Sequence, residues 1–347
     1  MKIMLGRRAV GDGAPCFVIA EAGSNHNGSL AQAKQLIDVA ATAGADAVKF
    51  QTFRAAKLYT RSAGTSDYLA LDRPIYDIIA DMEMPYEWIP ELADHCRRRA
   101  VQFLSSAFDE ESVDRVDPFV TGFKIASYEM NHLPLVRHVA AKGKPMIVST
   151  GTADLAEVAT TVAALRATGN DQLVLLQCTA SYPAPIASLN LRTIQTFTAT
   201  FGVPAGLSDH SADPLVGPLA AVALGASVIE KHFTLSRELP GPDHRFAVEP
   251  DELGLMIRKI RDVESALGSG AKDVHPVERE LRSFARRSIF ATRAIARGEK
   301  FSRENVAVLR CGKLVAALQP DDFPMLLTRR ATRDVVADAP IQPTDYE

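Results

Sequence analysis

The chain has 347 residues, 47% of them hydrophobic, and a formal charge of −3. That is enough apolar material for a large core, too long for one ordinary domain, and suited to a barrel with a small appendage. Near-neutrality supplies no global field for nucleic acid or an anionic membrane, and the few aromatics (7%) are not interleaved with basic runs, which argues against a stacking platform for single strands. No apolar run is long enough to span a bilayer, and residues 1–8 lack a signal-peptide core. Cys16, Cys96, Cys178 and Cys311 are scattered, without paired metal-ligand spacing. A reduced cytoplasmic protein is the simplest expectation.

In chain order, Phe17-Val18-Ile19-Ala20 reads as a strand, followed by Glu21 and a loop, 23–28, holding Gly23 and Gly28. Residues 30–43 read as a helix and Ala47-Val48-Lys49-Phe50 as a second strand, followed by Gln51. A long loop leads to a helix near 85–99, then to Gln102-Phe103-Leu104, which ends in Ser105-Ser106. Gly122-Phe123-Lys124-Ile125 is the fourth strand, followed by Ser127 and Glu129. Pro145-Met146-Ile147-Val148 is the fifth, ending in Ser149-Thr150-Gly151. Asp154 N-caps a helix to about residue 168. Residues 173–176 make the sixth strand, ending in Gln177-Cys178-Thr179. Gly206-Leu207-Ser208-Asp209-His210 and Val228-Ile229-Glu230-Lys231-His232 make the last two, and a helix over 250–267 closes the series.

Eight alternations of strand and helix predict a parallel sheet closed into a (β/α)8 TIM barrel. Polar residues fall at the C-terminal tip of strand after strand, the face on which such barrels build active sites. A doubly wound open sheet would instead gather its ligands at one switch point. Domain limits of 1–270 for the barrel, 271–287 for a polar helical connector and 288–347 for a small β domain follow from the change in texture after Gly268-Ser269-Gly270. The tail repeats itself. Ala291-Thr292-Arg293-Ala294-Ile295 matches Ala331-Thr332-Arg333-Asp334-Val335, Phe301 matches Ile341, and Asn305-Val306 matches Asp345-Tyr346. Each copy reads as a strand, a turn at Gly298 or Asp338, and a second strand. So small a domain has little core of its own and should pack on another surface.

Two strands that each end on a histidine would, as neighbours, set His210 and His232 side by side over one divalent cation. Either histidine alone serves equally well as a hydrogen-bond partner for a neighbour. Lysines at the tips (Lys49, Lys124, and Lys231 unless it points outward) suit a phosphate or carboxylate, or else pair with Glu21 or Glu230. Ser106, Ser127, Ser149, Thr150 and Ser208 add hydroxyls to such a cradle, and no Walker-type or dinucleotide fingerprint is present. Glu21 and Glu129 are acid–base candidates. Asp209 is a candidate to orient a histidine. Asp243, in Pro240-Gly241-Pro242-Asp243-His244, grips a sugar hydroxyl or simply makes a turn.

Taken together, these motifs resemble the sialic acid (nonulosonic acid) synthases. The match runs nearly end to end: Ala20-Glu21-Ala22-Gly23-Ser24-Asn25-His26-Asn27-Gly28, Val48-Lys49-Phe50-Gln51-Thr52, Lys124-Ile125-Ala126-Ser127, Ser149-Thr150-Gly151, residues 206–210, Glu230-Lys231-His232-Phe233-Thr234 and Gly241-Pro242-Asp243-His244. The tail resembles the family's antifreeze-like SAF domain, a β-clip.

The resemblance implies condensation of phosphoenolpyruvate with an N-acetylated hexosamine such as N-acetylmannosamine, or with a 2,4-diacetamido-trideoxyhexose as in pseudaminic and legionaminic acid synthesis. It implies His210 and His232 as ligands of a divalent metal, Mn2+ with Mg2+ or Co2+ as alternatives. Ser106, Lys124, Ser127, Ser149 and Ser208 would bind phosphoenolpyruvate. Gln51, Tyr182, Asp243 and Arg310 would bind the sugar, and Glu21, Lys49 and Glu129 would be catalytic, Lys49 and Glu129 also positioning the sugar. It further implies a domain-swapped homodimer in which Arg310 reaches the partner's barrel. The chain departs from the family pattern at Ala107 and Cys311, where proline is usual, and at Ala180, where some members carry asparagine. A pyruvate aldolase would use a Schiff-base lysine or a carboxylate-rich metal site and need no phosphate cradle. A non-catalytic carbohydrate-binding protein would need no paired metal-ligand histidines.

Overall fold

The eight segments expected as strands between Phe17 and His232 all form, and they close on themselves. The computed structural model describes residues 1–65 and 72–347; part of the long loop after the second expected strand, 66–71, lies outside the described residues. The chain divides into two compact units, Met1–Gly268 and Ser269–Glu347.

The first unit begins with an antiparallel hairpin, β1 (Lys2–Leu5) and β2 (Arg8–Gly11). The barrel strands are β3 (Phe17–Gly23), β4 (Ala47–Thr52), β5 (Gln102–Ala107), β6 (Phe123–Ile125), β7 (Met146–Ser149), β8 (Leu173–Cys178), β9 (Ala205–Asp209) and β10 (Val228–His232). All pair in parallel, in chain order, and β10 returns to β3 to complete the ring. The helices are α1 (Leu30–Ala43), α2 (Ala55–Leu58), α3 (Ile75–Asp81), α4 (Trp88–Arg98), α5 (Glu110–Val116), α6 (Leu133–Ala140), α7 (Leu155–Arg166), α8 (Thr193–Phe201), α9 (Val216–Ala223) and α10 (Pro250–Leu267). The supposed long loop holds α2 and α3. Local chemistry sets the helix ends. Ser29 caps α1, which stops at Gly44 in the left-handed region (φ 88°). Asp154 and Glu157 form the capping box of α7.

Strand parity divides the barrel core. Val18, Val48, Phe103, Phe123, Val148, Leu175, Leu207 and Ile229 face outward and pack under the helices. Phe17, Ile19, Ala47, Leu104, Ile147, Val174, Leu176 and Val228 face inward. Ile3, Leu5 and Val10 of the hairpin join that inner cluster, and Gln102 Nε2 donates to the Leu5 carbonyl (3.0 Å). The hairpin therefore stoppers the N-terminal end of the barrel, a role that its short, mixed sequence does not announce.

The second unit contains α11 (Arg279–Ala285), an antiparallel pair of β11 (Arg287–Ala291) with β12 (Val306–Arg310), and α12 (Phe323–Leu326). The repeat is visible as a pseudo-twofold: Ile295 and Val335 exchange backbone hydrogen bonds (2.9 and 2.8 Å), and Gly298 and Asp338 both take positive φ (83° and 62°). The copies meet through isolated bridges instead of the expected strand pairs, and the one regular ladder is β11 with β12. Ile289, Ile295, Phe301, Leu326, Val335 and Ile341 form this unit's own core.

Candidate active site

The parity that turns Ile19, Ala47 and Val228 inward continues toward the C-terminal tips, where apolar residues give way to polar ones. Glu21, Lys49, Ser106, Lys124, Ser149, Ser208, Glu230 and His232 are all buried. On the inner face Lys49 Nζ lies 2.7 Å from Glu21 Oε2, 2.9 Å from Ser106 Oγ and 3.9 Å from Glu230 Oε2. Lys124 Nζ is 3.6 Å from Glu230 Oε1, to which Ser208 donates at 3.0 Å. The lysines thus have internal carboxylate partners, and Ser106 and Ser208 belong to the same buried polar network. Ser149 Oγ is buried with no hydrogen-bond partner among the described residues. Ser127 Oγ accepts from the Gly151 N–H (3.0 Å), and Thr150 Oγ1 is used by the Leu176 carbonyl (2.9 Å).

The two histidine rings stand at the mouth with centroids 5.3 Å apart. His210 Nδ1 faces the Thr179 carbonyl (3.0 Å), which places its proton there in the neutral ring and leaves the lone pair on Nε2. Cys178 Sγ lies 3.7 Å from the same Nδ1. Tyr182 covers both rings, at 4.1 Å from His210 and 6.2 Å from His232, and Phe246 stands 5.2 Å from His232. His232 Nδ1 is buried and has no hydrogen-bond partner among the described residues; Asp243 Oδ2 is 3.8 Å away.

Three more of the expected site residues meet at Gly23. A Cβ there would lie 3.4 Å from Glu21 Oε1, 3.5 Å from Asp243 Oδ2 and 3.6 Å from Gln51 Nε2, so these three side chains converge on one point. Gln51 Nε2 donates to Glu21 Oε1 (3.2 Å). Glu129 lines a polar cleft of about 620 Å³ with Lys57, Phe108, Tyr128 and His132, its Oε2 unpartnered among the described residues. Arg310 is an exposed residue at the end of β12 in the second unit.

Burial dominates the electrostatics. It pushes Glu21 up to about 7, with Lys49 opposing and Glu230 adding to the rise. It pushes Glu129 to about 7 and Asp243 to about 6. Glu230 goes the other way: burial alone would raise it, but Lys124 and Lys49 hold it below the usual carboxylate range. Burial and the nearby cationic groups hold His232 well below the ordinary imidazole value. Burial opposes charge on His210, but Cys178 and the Thr179 carbonyl outweigh it and shift that ring upward, so its Nε2 lone pair is free only when the ring is neutral; in that form, beside the neutral His232, the pair suits a divalent cation. Among the described residues no group of three or more His, Cys, Asp or Glu side chains is arranged to hold a metal. The remaining positions of such an ion would therefore fall to solvent or substrate oxygens.

One expectation fails. Asp209 does not orient a histidine. Parity turns it outward, where its Oδ2 pairs with Lys231 Nζ (2.7 Å) and meets Ser211 Oγ (3.1 Å). Lys231 points outward with it, onto the Ser211 and Asp213 carbonyls. Two further residues share the inner face: Glu230, two residues before His232, and Cys178, two residues after the inward-facing Leu176.

The NeuB family profile matches residues 36–272, and the SAF domain profile matches 286–347. The spore coat polysaccharide biosynthesis protein SpsE of Bacillus subtilis is 46% identical over 97% of this chain and 95% of its own. The N,N'-diacetyllegionaminic acid synthase of Legionella pneumophila is 40% identical over 94% and 93%. The crystal structure of the N-acetylneuraminic acid (sialic acid) synthetase of Leptospira borgpetersenii, in complex with citrate, superposes with a TM-score of 0.73 at 31% identity, covering 81% of this chain and 95% of that one.

Proposed function

The chain belongs to the NeuB family, and from that premise we propose that its barrel condenses phosphoenolpyruvate with the open-chain aldehyde of an N-acetylated amino sugar, giving a nine-carbon 2-keto acid and phosphate. It is a carbon–carbon bond-forming transferase of the nonulosonic acid synthase type. The observation that carries the reading is a single inner face with a lysine–serine cradle below and two imidazoles above.

Lys124, Ser149 and Ser208 bind the phosphate, with Ser106 and Ser127 beside the enol. His210 and His232 would hold a divalent cation, Mn2+ ahead of Mg2+ or Co2+; bound there, it supplies Lewis-acid polarisation of the aldehyde oxygen. Gln51, Tyr182 and Asp243 orient the sugar, with Lys49 and Glu129 assisting. C3 of the enol bonds to the aldehyde carbon, leaving C2 cationic. Water adds to C2, and the C2–O bond to phosphate breaks. Water loses two protons over the sequence, one of which balances the new alkoxide while the other leaves with phosphate. Glu21, near neutrality against Lys49, is the group placed to move a proton there. Arg310 reaches the sugar from a partner subunit in a homodimer, which also keeps bulk water from the cationic C2.

The test is phosphate release with N-acetylmannosamine and with the two diacetamido-trideoxyhexoses. Release with at least one is expected, and release with none overturns the proposal. A diacetamido acceptor is the second reading, favoured by the 40% identity to a synthase named for N,N'-diacetyllegionaminic acid. Pyruvate formation without phosphate would instead indicate an aldolase.

A further inference from the structure

The last barrel strand is followed by a loop whose His244 side chain, outside the reacting set, contacts two other segments. His244 is fully buried, and both its nitrogens are engaged. Nε2 lies 3.1 Å from Asn27 Oδ1, in the loop after the first barrel strand. Nδ1 lies 2.6 Å from Thr234 Oγ1, just past the last one. An amide oxygen only accepts, so Nε2 carries the proton toward Asn27; the single Thr234 hydroxyl proton then has two acceptors in reach, the unprotonated Nδ1 and the Ser236 carbonyl (3.0 Å). Burial disfavours the charged ring, in keeping with that assignment. The imidazole therefore bridges the two loops where the barrel ring closes. The backbone is moulded around it: a Cβ on Gly241 would lie 2.8 Å from His244 Cδ2, and Gly241 takes φ 139°, which L side chains rarely adopt.

Asp243 is the residue before His244 and shares the point over Gly23 with Glu21 and Gln51. We propose that His244 is a positioning residue, clamping residues 240–244 to Asn27 and Thr234 so that Asp243 is held in place over the acceptor sugar. This rests on the acceptor site as read above. The general reason is that a carboxylate on a loop orients substrate only if the loop is braced, since a displacement of about 1 Å costs on the order of a hundredfold.

The test is steady-state phosphate release by His244→Ala, His244→Gln and Asn27→Ala, alone and combined with Asp243→Ala. His244→Ala should raise the KM for the sugar about tenfold while the KM for phosphoenolpyruvate stays within about twofold. His244→Gln, which retains a donor toward Asn27, should recover most of the loss. In the Asp243→Ala background the His244 change should add less than about twofold. Equal shifts in both KM values, or full additivity with Asp243→Ala, would overturn the clamp. If His244→Ala fails to fold, Asn27→Ala removes one arm and must show the same pattern. Independently of turnover, 15N NMR of the wild-type protein should show His244 protonated on Nε2, and a ring protonated only on Nδ1 refutes the bridge. Should the wild type use no amino sugar, the functional reading falls while the tautomer still decides the clamp.

Discussion

At the scale of single residues, inner-face parity explains most of the site. Once a strand is recognised, every second residue is committed to the interior, and Glu21, Lys49, Ser106, Ser208 and His232 follow from their apolar predecessors. The same rule turns Asp209 outward, against the expected histidine-orienting role, and turns Lys231 outward with it, the alternative its position left open. Nothing local reveals the contact of His244 with Asn27, 217 positions earlier. We expect His210→Ala and His232→Ala each to lower phosphate release by on the order of a thousandfold or more, with the unfolding midpoint nearly unchanged; either variant retaining full activity removes the metal pair from the mechanism. Glu129 gives a pH prediction. Its folded-state value of about 7 lies above the ordinary glutamate value of 4.5, so the native state holds a proton that the unfolded chain releases between those pH values. Its carboxyl therefore detracts from stability as pH rises through that window, by up to about 3 kcal/mol above it. Glu129→Gln should be more stable than wild type at pH 8 and equal to it near pH 4; denaturant unfolding at both pH values decides.

At the scale of elements, most boundaries were legible because their signals are local: the Asp154 cap, the left-handed Gly44, and the polar tips of continuous apolar runs. The hairpin was not, because each strand has only four residues and its burial depends on a barrel that the rest of the chain builds. The ion pair of Asp209 with Lys231 ties β9 to β10 outside the barrel, against the Ser211 and Asp213 carbonyls. Removing one charge leaves the other buried without its partner. Lys231→Met should therefore cost about 3–5 kcal/mol by denaturant unfolding, and the double variant with Asp209→Asn should regain part of it. No loss in the single variant would mean that the pair is dispensable.

At the scale of the whole molecule, the chain consists of a barrel unit and a small unit with its own core. The internal repeat was legible, and so was its turn chemistry at Gly298 and Asp338; the absence of regular strands between the copies was not, since isolated bridges leave no periodic signature. Cys311 shows what a family pattern hides. Its N–H donates to the Arg286 carbonyl (2.9 Å), a bond that proline in that position would remove. For the proposed homodimer, mixing an Arg310→Ala variant with a His232→Ala variant should restore part of the lost activity, because one of the mixed sites then has both groups. No recovery after subunit exchange would place Arg310 in its own chain's site or outside the reaction.

The hairpin stopper has a consequence for traffic. With Leu5 and Val10 closing one end of the ring, reactants and products share a single doorway. Ser208 and Glu230 each lie two residues before a histidine on the same strand face, about 7 Å further down. Whatever occupies the lower berth must arrive before its companion and wait for it to leave. Initial-rate kinetics should therefore be ordered, with phosphoenolpyruvate entering first and inorganic phosphate, the last to depart, competing with it directly.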